Sequence, residues 1–204
     1  HAVKIVTTCE GGIVTSNDDA LAKQLRLLRS HGMTREAGDL ERPSEGGWYY
    51  EQQALGYNYR LTDLQAALGL SQLGRLDAMQ ARRAALAARY DELLAGLPLR
   101  LPARMSDRES AWHLYVIELN GGERSSHLRD KVFAGLRAAG IGVNVHYIPI
   151  HTQPYYARLG FRQGDFQASE RYYGRAISLP LFPAMTEEQQ DKVVATLRAL
   201  LLER

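Results

Sequence analysis

The spacing of apolar residues changes along the chain, and each change marks a predicted element. Lys4–Thr8 and Ile13–Thr15 are rich in β-branched residues and flank the turn signal Thr7-Thr8-Cys9-Glu10-Gly11-Gly12, which predicts a hairpin or two short strands. Ser16-Asn17-Asp18-Asp19 offers N-cap residues for a helix to about Ser30, with Leu21, Leu25 and Leu28 on one face. Residues 31–57 have no period and hold Gly38, Pro43, Gly46, Gly47 and Gly56, so they read as one long loop. Thr62 and Gln65 form a capping box that opens a helical pattern running to about Ala95 through Leu64, Leu68, Leu73, Leu76, Leu86, Tyr90 and Leu93. Such a length implies a bend near Gly74 or a bridge between two domains, and the composition beyond it favours the bridge.

After that helix the period alternates. Leu97–Pro102, Ala111–Leu119, Ile141–Tyr147 and Ile177–Leu179 read as strands, and Ser125–Ala139 as an amphipathic helix stopped by Gly140. Thr186 and Gln189 make a second capping box, starting a terminal helix with Val193, Val194, Leu197, Leu200 and Leu201 inward. Strands alternating with helices predict a small α/β domain over residues 97–204. The expected organisation is one unit over residues 1–76, a linking helix over 77–96, and this second domain.

Composition then narrows the classes. With 204 residues, 45% of them hydrophobic, the chain can bury a core, which excludes collagen, disulfide miniproteins and disordered tails. A net charge of +2, with Arg scattered among Asp and Glu, argues against a nucleic-acid partner. No apolar run approaches the roughly 18 to 20 residues that span a bilayer, and the single Cys9 cannot make an internal disulfide, so no membrane partner and a cytoplasmic location are expected.

Among the candidate reactive groups, Lys4 stands out, because the chain has only four Lys against 21 Arg and this one lies between Val3 and Ile5. It is either a lysine on the solvent face of an edge strand or an amine held neutral for chemistry. Gly11-Gly12 reads as a turn rather than a dinucleotide or phosphate loop, and Cys9 as an inert thiol. His146 and His151 straddle Pro149 with no carboxylate or thiol triad nearby, so no metal site is expected. With Tyr147, Pro149, Pro154, Tyr155 and Tyr156 they make either a rigid wall for a ligand or a surface loop held by aromatic contacts.

Three stretches together carry a resemblance: His1-Ala2-Val3-Lys4 followed by Thr7–Gly12; Gly56-Tyr57-Asn58-Tyr59-Arg60-Leu61-Thr62-Asp63-Leu64-Gln65-Ala66-Ala67; and Gly140-Ile141-Gly142-Val143-Asn144-Val145-His146-Tyr147-Ile148-Pro149-Ile150-His151. In order and separation they resemble the DegT/DnrJ/EryC1/StrS family of pyridoxal-phosphate sugar aminotransferases over the whole chain. The resemblance implies an α/β fold of the aspartate-aminotransferase type, fold type I, comprising the end of the large cofactor domain and the C-terminal small domain. It further implies that Lys4 binds pyridoxal 5′-phosphate as an imine and then moves the proton from the substrate carbon. By the same resemblance Asn58 reaches the cofactor phosphate of a second subunit in a homodimer with shared active sites, and Arg60 supports that loop or meets a substrate phosphate. His146, Tyr147 and His151 lie near the nucleotide-sugar.

Within the family, Trp112–Tyr115, Val143–Tyr147 with His151–Tyr156, and Ser178–Leu181 most resemble the UDP-sugar 4-aminotransferases of pseudaminic acid synthesis. The implied substrates are a UDP-4-keto-6-deoxy-N-acetylhexosamine and L-glutamate. A UDP-4-keto-pentose or GDP-4-keto-6-deoxymannose aminotransferase and a non-catalytic half-protein binding module are the alternatives, while the presence of Lys4 argues against a family dehydratase in which His replaces the lysine. The family's phosphate-binding turn, ring-stacking aromatic and pyridine-pairing Asp precede the lysine, and are expected upstream of this stretch.

Overall fold

The computed structural model describes residues 1, 3–122 and 125–202. It divides into two compact units, His1–Arg75 and Leu76–Arg204.

In the first unit, α1 (Asp19–Arg29) starts where the Asp18 carboxylate accepts the N–H groups of Ala20 and Leu21, and basic Arg26 and Arg29 sit in its last turn, where the helix dipole favours them. Its apolar face is only partly covered, and none of its residues is buried. The long loop is organised by side chains. Antiparallel β1 (Met33–Thr34) and β2 (Glu51–Gln52) pair across it. The Glu51 carboxylate accepts the N–H groups of Glu41 (2.6 Å) and Arg42 (2.9 Å) and the Tyr49 hydroxyl (3.1 Å). Those hydrogen bonds, led by the Glu41 amide, hold its pKa below the ordinary carboxylate value. Helix α2 (Asp63–Leu73) opens at the Thr62–Gln65 capping box.

The two opening strands expected at Lys4–Thr8 and Ile13–Thr15 do not form; these segments are bends and extended chain. A strand is completed by the backbone groups of a neighbour, and none of the strands among the described residues pairs with them. The helical pattern through Gly74 is likewise broken: Gly74-Arg75 is a turn that separates α2 from α3 (Leu76–Leu93).

The second unit holds the core. Strands β3 (Leu99–Arg100), β4 (Tyr115–Leu119) and β5 (Ala176–Leu179) form an antiparallel sheet in the order β3-β4-β5, with Leu99 opposite Leu119 and Tyr115 opposite Leu179. Alternation in β4 buries Tyr115, Ile117 and Leu119 completely. Against the sheet packs α4 (Ser125–Ala138), with Val132 and Leu136 inward, and α7 (Glu187–Leu202) packs on α4 and α3, with Val193, Val194 and Leu197 inward. Arg83, Leu86, Ala87 and Tyr90 make the buried stripe of α3 at helical spacing. The short helices α5 (Pro154–Ala157) and α6 (Gln167–Tyr173) lie between the 141–152 segment and β5.

Pro98 and Pro102 lack the N–H a ladder needs, which confines the strand expected over Leu97–Pro102 to two residues. The strand expected at Ile141–Tyr147 is a single bridge, Asn144 to Ser178. There the Asn144 side-chain oxygen takes the Val145 N–H at 2.8 Å, removing a donor that a ladder would use.

Candidate functional site

The sequence-derived site residues fall into two clusters, one in each unit. In the first, Lys4 is exposed on a turn closed by its own N–H to the His1 carbonyl at 3.2 Å, not on the apolar strand expected for it. Cys9, at φ 67°, and Glu10 form the bend that follows. That bend is tied to the second motif through one side chain. Gln65 accepts the Thr62 N–H at 3.0 Å through Oε1, while its Nε2 donates to the Glu10 carbonyl at 2.9 Å. The residue that starts α2 thus also fixes the turn downstream of Lys4.

Residues 56–59 are docked by backbone alone. The Tyr57 N–H donates to the Leu28 carbonyl (2.7 Å), the His31 N–H to the Tyr57 carbonyl (2.8 Å) and the Tyr59 N–H to the Arg29 carbonyl (2.9 Å). Two glycines permit the approach. A Cβ on Gly56 would lie 2.2 Å from the Gly32 nitrogen, and one on Gly32, at φ 69°, would lie 1.8 Å from the Ala54 carbonyl oxygen. With the backbone committed to α1, the side chains of Tyr57, Asn58, Tyr59 and Arg60 remain exposed. The Tyr57 and Tyr59 rings stack at 4.8 Å.

In the second unit the segment from His146 to His151 is fastened at both ends. His146 Nδ1 lies 2.7 Å from the Ser178 hydroxyl on β5. His151 is 7% exposed, with its ring 4.8 Å from that of Phe166, and its Nε2 donates to Glu170 Oε1 at 2.7 Å, since a carboxylate only accepts. The same Glu170 oxygen accepts the Gly164 N–H at 2.7 Å. The His151 bond, and after it the Gly164 bond, hold the Glu170 pKa below the ordinary carboxylate value. Between the fastened ends Tyr147 is 66% exposed, and Ile148 and Ile150 are also open. A recess of about 360 Å³ is lined by Ile150, His151, Tyr156, Phe161, Phe166 and Ser169. Among the described residues, no three His, Cys, Asp or Glu side chains gather as a metal would require, and no helix is long and apolar enough to cross a membrane.

The family model for the DegT/DnrJ/EryC1/StrS aminotransferases matches residues 1–198. The chain belongs to this family. Its fold is therefore the α/β fold type I of the PLP-dependent sugar aminotransferases. It is 40% identical to the spore coat polysaccharide biosynthesis protein SpsC of Bacillus subtilis over 98% of this chain and 52% of that protein. Among solved structures it is similar to PseC of Helicobacter pylori, an aminotransferase involved in the biosynthesis of pseudoaminic acid, at 29% identity and a TM-score of 0.86, covering 98% of this chain and 51% of that one. A Streptococcus pneumoniae protein described as a sugar aminotransferase, solved in a PMP form, matches at 30% identity and a TM-score of 0.86, covering 98% and 51%. The same protein is also solved in a PLP form. The chain spans about half the length of the curated relatives it matches.

Sequence reasoning missed Glu170, Ser178 and Gln65's second bond as positioning elements. The first two lie 19 and 32 residues from the histidines they hold. Nothing local marks such partners.

Proposed function

We propose that this chain is part of a pyridoxal-phosphate aminotransferase that moves an amino group from L-glutamate to C4 of a UDP-4-keto-6-deoxy-N-acetylhexosamine, and works in the cytoplasm as a homodimer with shared sites. The observation that carries the reading is the Gln65 bridge, which ties the turn after Lys4 to the Gly56–Gln65 stretch within one unit. Similarity to PseC supports the sugar class, and similarity to SpsC supports a role in making polysaccharide precursors.

The residues present suit the cofactor. The exposed Lys4 side chain offers a primary amine that an aldehyde can reach, and Asn58 and Arg60 present exposed amide and guanidinium donors of the kind a phosphate takes. Pyridoxal phosphate, held by these residues, would supply the electron sink for amino transfer. Lys4 would hold the cofactor through its side-chain amine, and that amine would take and return the proton at the substrate carbon. Asn58 serves the cofactor phosphate of a second subunit. Arg60 orients that loop or a substrate phosphate through its planar fork. His146, Tyr147 and His151 form the nucleotide-sugar side, with Tyr147 the most exposed of the three. Residues 1–76 complete the large cofactor domain, 97–204 form the small domain, and 77–96 join them.

Borohydride reduction of the holoenzyme followed by peptide mass spectrometry tests this reading. A pyridoxyl adduct on Lys4, with amino transfer from L-glutamate to the keto-sugar, is expected. An adduct on another lysine, or none, overturns it.

A further inference from the structure

The hexapeptide from His146 to His151 is attached to the second unit by imidazoles at its two ends, and the groups that hold those imidazoles lie on other elements: Ser178 on β5 and Glu170 on α6. Glu170 carries the heavier duty. One of its oxygens receives both the His151 Nε2–H and the Gly164 N–H, each at 2.7 Å, while its own N–H donates to the Phe166 carbonyl at 3.1 Å. Phe166 in turn supplies the ring against His151. Three segments, 150–152, 161–166 and α6, therefore meet at one carboxylate. His151 is nearly buried, and the one proton its Nε2 carries is already committed to Glu170. This histidine acts as an anchor, and the exposed side chain next to its partner anchor is Tyr147.

We infer that Glu170 is a positioning residue for nucleotide-sugar binding: by holding His151 and the Gly164 turn together it fixes the 147–150 strap so that Tyr147 faces the substrate. This rests on the aminotransferase reading above. Charge matters as well as shape, because a hydrogen bond to a carboxylate is stronger than one to an amide oxygen. A rigid strap binds without having to be ordered by the ligand, so loosening it weakens binding of the sugar nucleotide. The amino-donor half-reaction does not require the sugar nucleotide, so the loss should show in one half-reaction more than the other.

The test uses the holoenzyme with Glu170→Ala and Glu170→Gln. Amide hydrogen exchange read by mass spectrometry should rise over residues 146–166 in Glu170→Ala and stay at the wild-type level in α7. In the same variant the KM for the keto-sugar nucleotide should rise about tenfold, as expected for one lost charge-assisted hydrogen bond. The rate with L-glutamate, followed by stopped-flow absorbance, should fall by less than about twofold. Glu170→Gln, which keeps an acceptor oxygen, should recover part of the KM. Unchanged exchange in Glu170→Ala overturns the inference, and so does raised exchange with an unchanged KM. Equal damage to both half-reactions overturns it too, because that is how a general loss of structure would read. A wild-type enzyme that fails with L-glutamate and with the keto-sugar overturns the parent reading and this inference together, which distinguishes the two failures.

Discussion

The first unit and the second are built on different terms. The second has an apolar core drawn from α3, the sheet, α4 and α7, with Leu86, Tyr90, Tyr115, Ile117, Leu136 and Leu197 almost wholly out of water. In the first, among the described residues, only Gly32, Thr34 and Gly69 are buried, while Leu55 is 91% and Leu64 85% exposed. Its shape comes from caps, from carboxylates that collect backbone N–H groups, and from two glycines in contact. Burial of apolar surface at about 25 cal/mol per Å² is the main driving term of folding, and this unit shows little of it. The difference teaches that polar contacts to the backbone and a close glycine approach, rather than apolar burial, organise the first unit.

The contrast can be pressed hardest at Lys4. Lys4→Ala should reduce amino transfer by more than about a thousandfold, since Ala can neither bond the cofactor nor move the proton. Its thermal midpoint without cofactor should stay within about 1 °C of wild type, because an exposed side chain supports little structure. Retained activity would end the assignment.

A matched pair of leucines comes next. Leu197→Ala in the second unit should cost about 2–5 kcal/mol in urea unfolding, as expected for a buried leucine. Leu64→Ala in the first should change the same measurement by less than about 0.5 kcal/mol. If Leu64 lies in the dimer contact, it should instead shift the concentration dependence of the dimer in sedimentation. A large unfolding cost for Leu64 with no change in assembly would show that the first unit has a hydrophobic core of its own.

Gly32→Ala tests the backbone docking that stands in for a core. It forces a Cβ onto the Ala54 carbonyl at a positive φ, and should destabilise by more than about 1 kcal/mol while raising amide exchange over residues 53–59. The smallest effect concerns acid. Glu170 has a lowered pKa in the folded protein, so the unfolded state binds its proton more readily. Its contribution is then fully present above the ordinary carboxylate range and is lost as pH falls through the folded value. Thermal melts from neutral pH into that acidic window should decline less in Glu170→Gln than in wild type.

Much of this was readable from the sequence wherever the signal is local. Asp18, Thr62 and Thr186 start helices because each offers an oxygen to N–H groups two or three residues on, and the inward face of α7 follows from 3.6-residue spacing. Strands were harder, since a ladder depends on a distant partner and β-branched residues alone do not supply one. Buried polar residues were invisible. Arg83 donates to the carbonyls of Trp112 and Leu181, and Gln190 to that of Leu86, across about a hundred residues in two of the three cases. For the candidate site, the residues of the family motifs were legible, but not that His151 would be held inward by Glu170.

The prolines that flank the short strands have a further consequence for assembly gone wrong. Strand β3 lies at the sheet's edge between Pro98 and Pro102, and β5 is followed at once by Pro180. A foreign chain seeking to extend this sheet would find only a few adjacent donors before a residue with no N–H, and cross-β growth needs an uninterrupted row of them. The edges are closed to templating by their brevity, so a partly unfolded second unit offers poor seed surface for fibrils even though its β5 is buried throughout and apolar at all but Ser178.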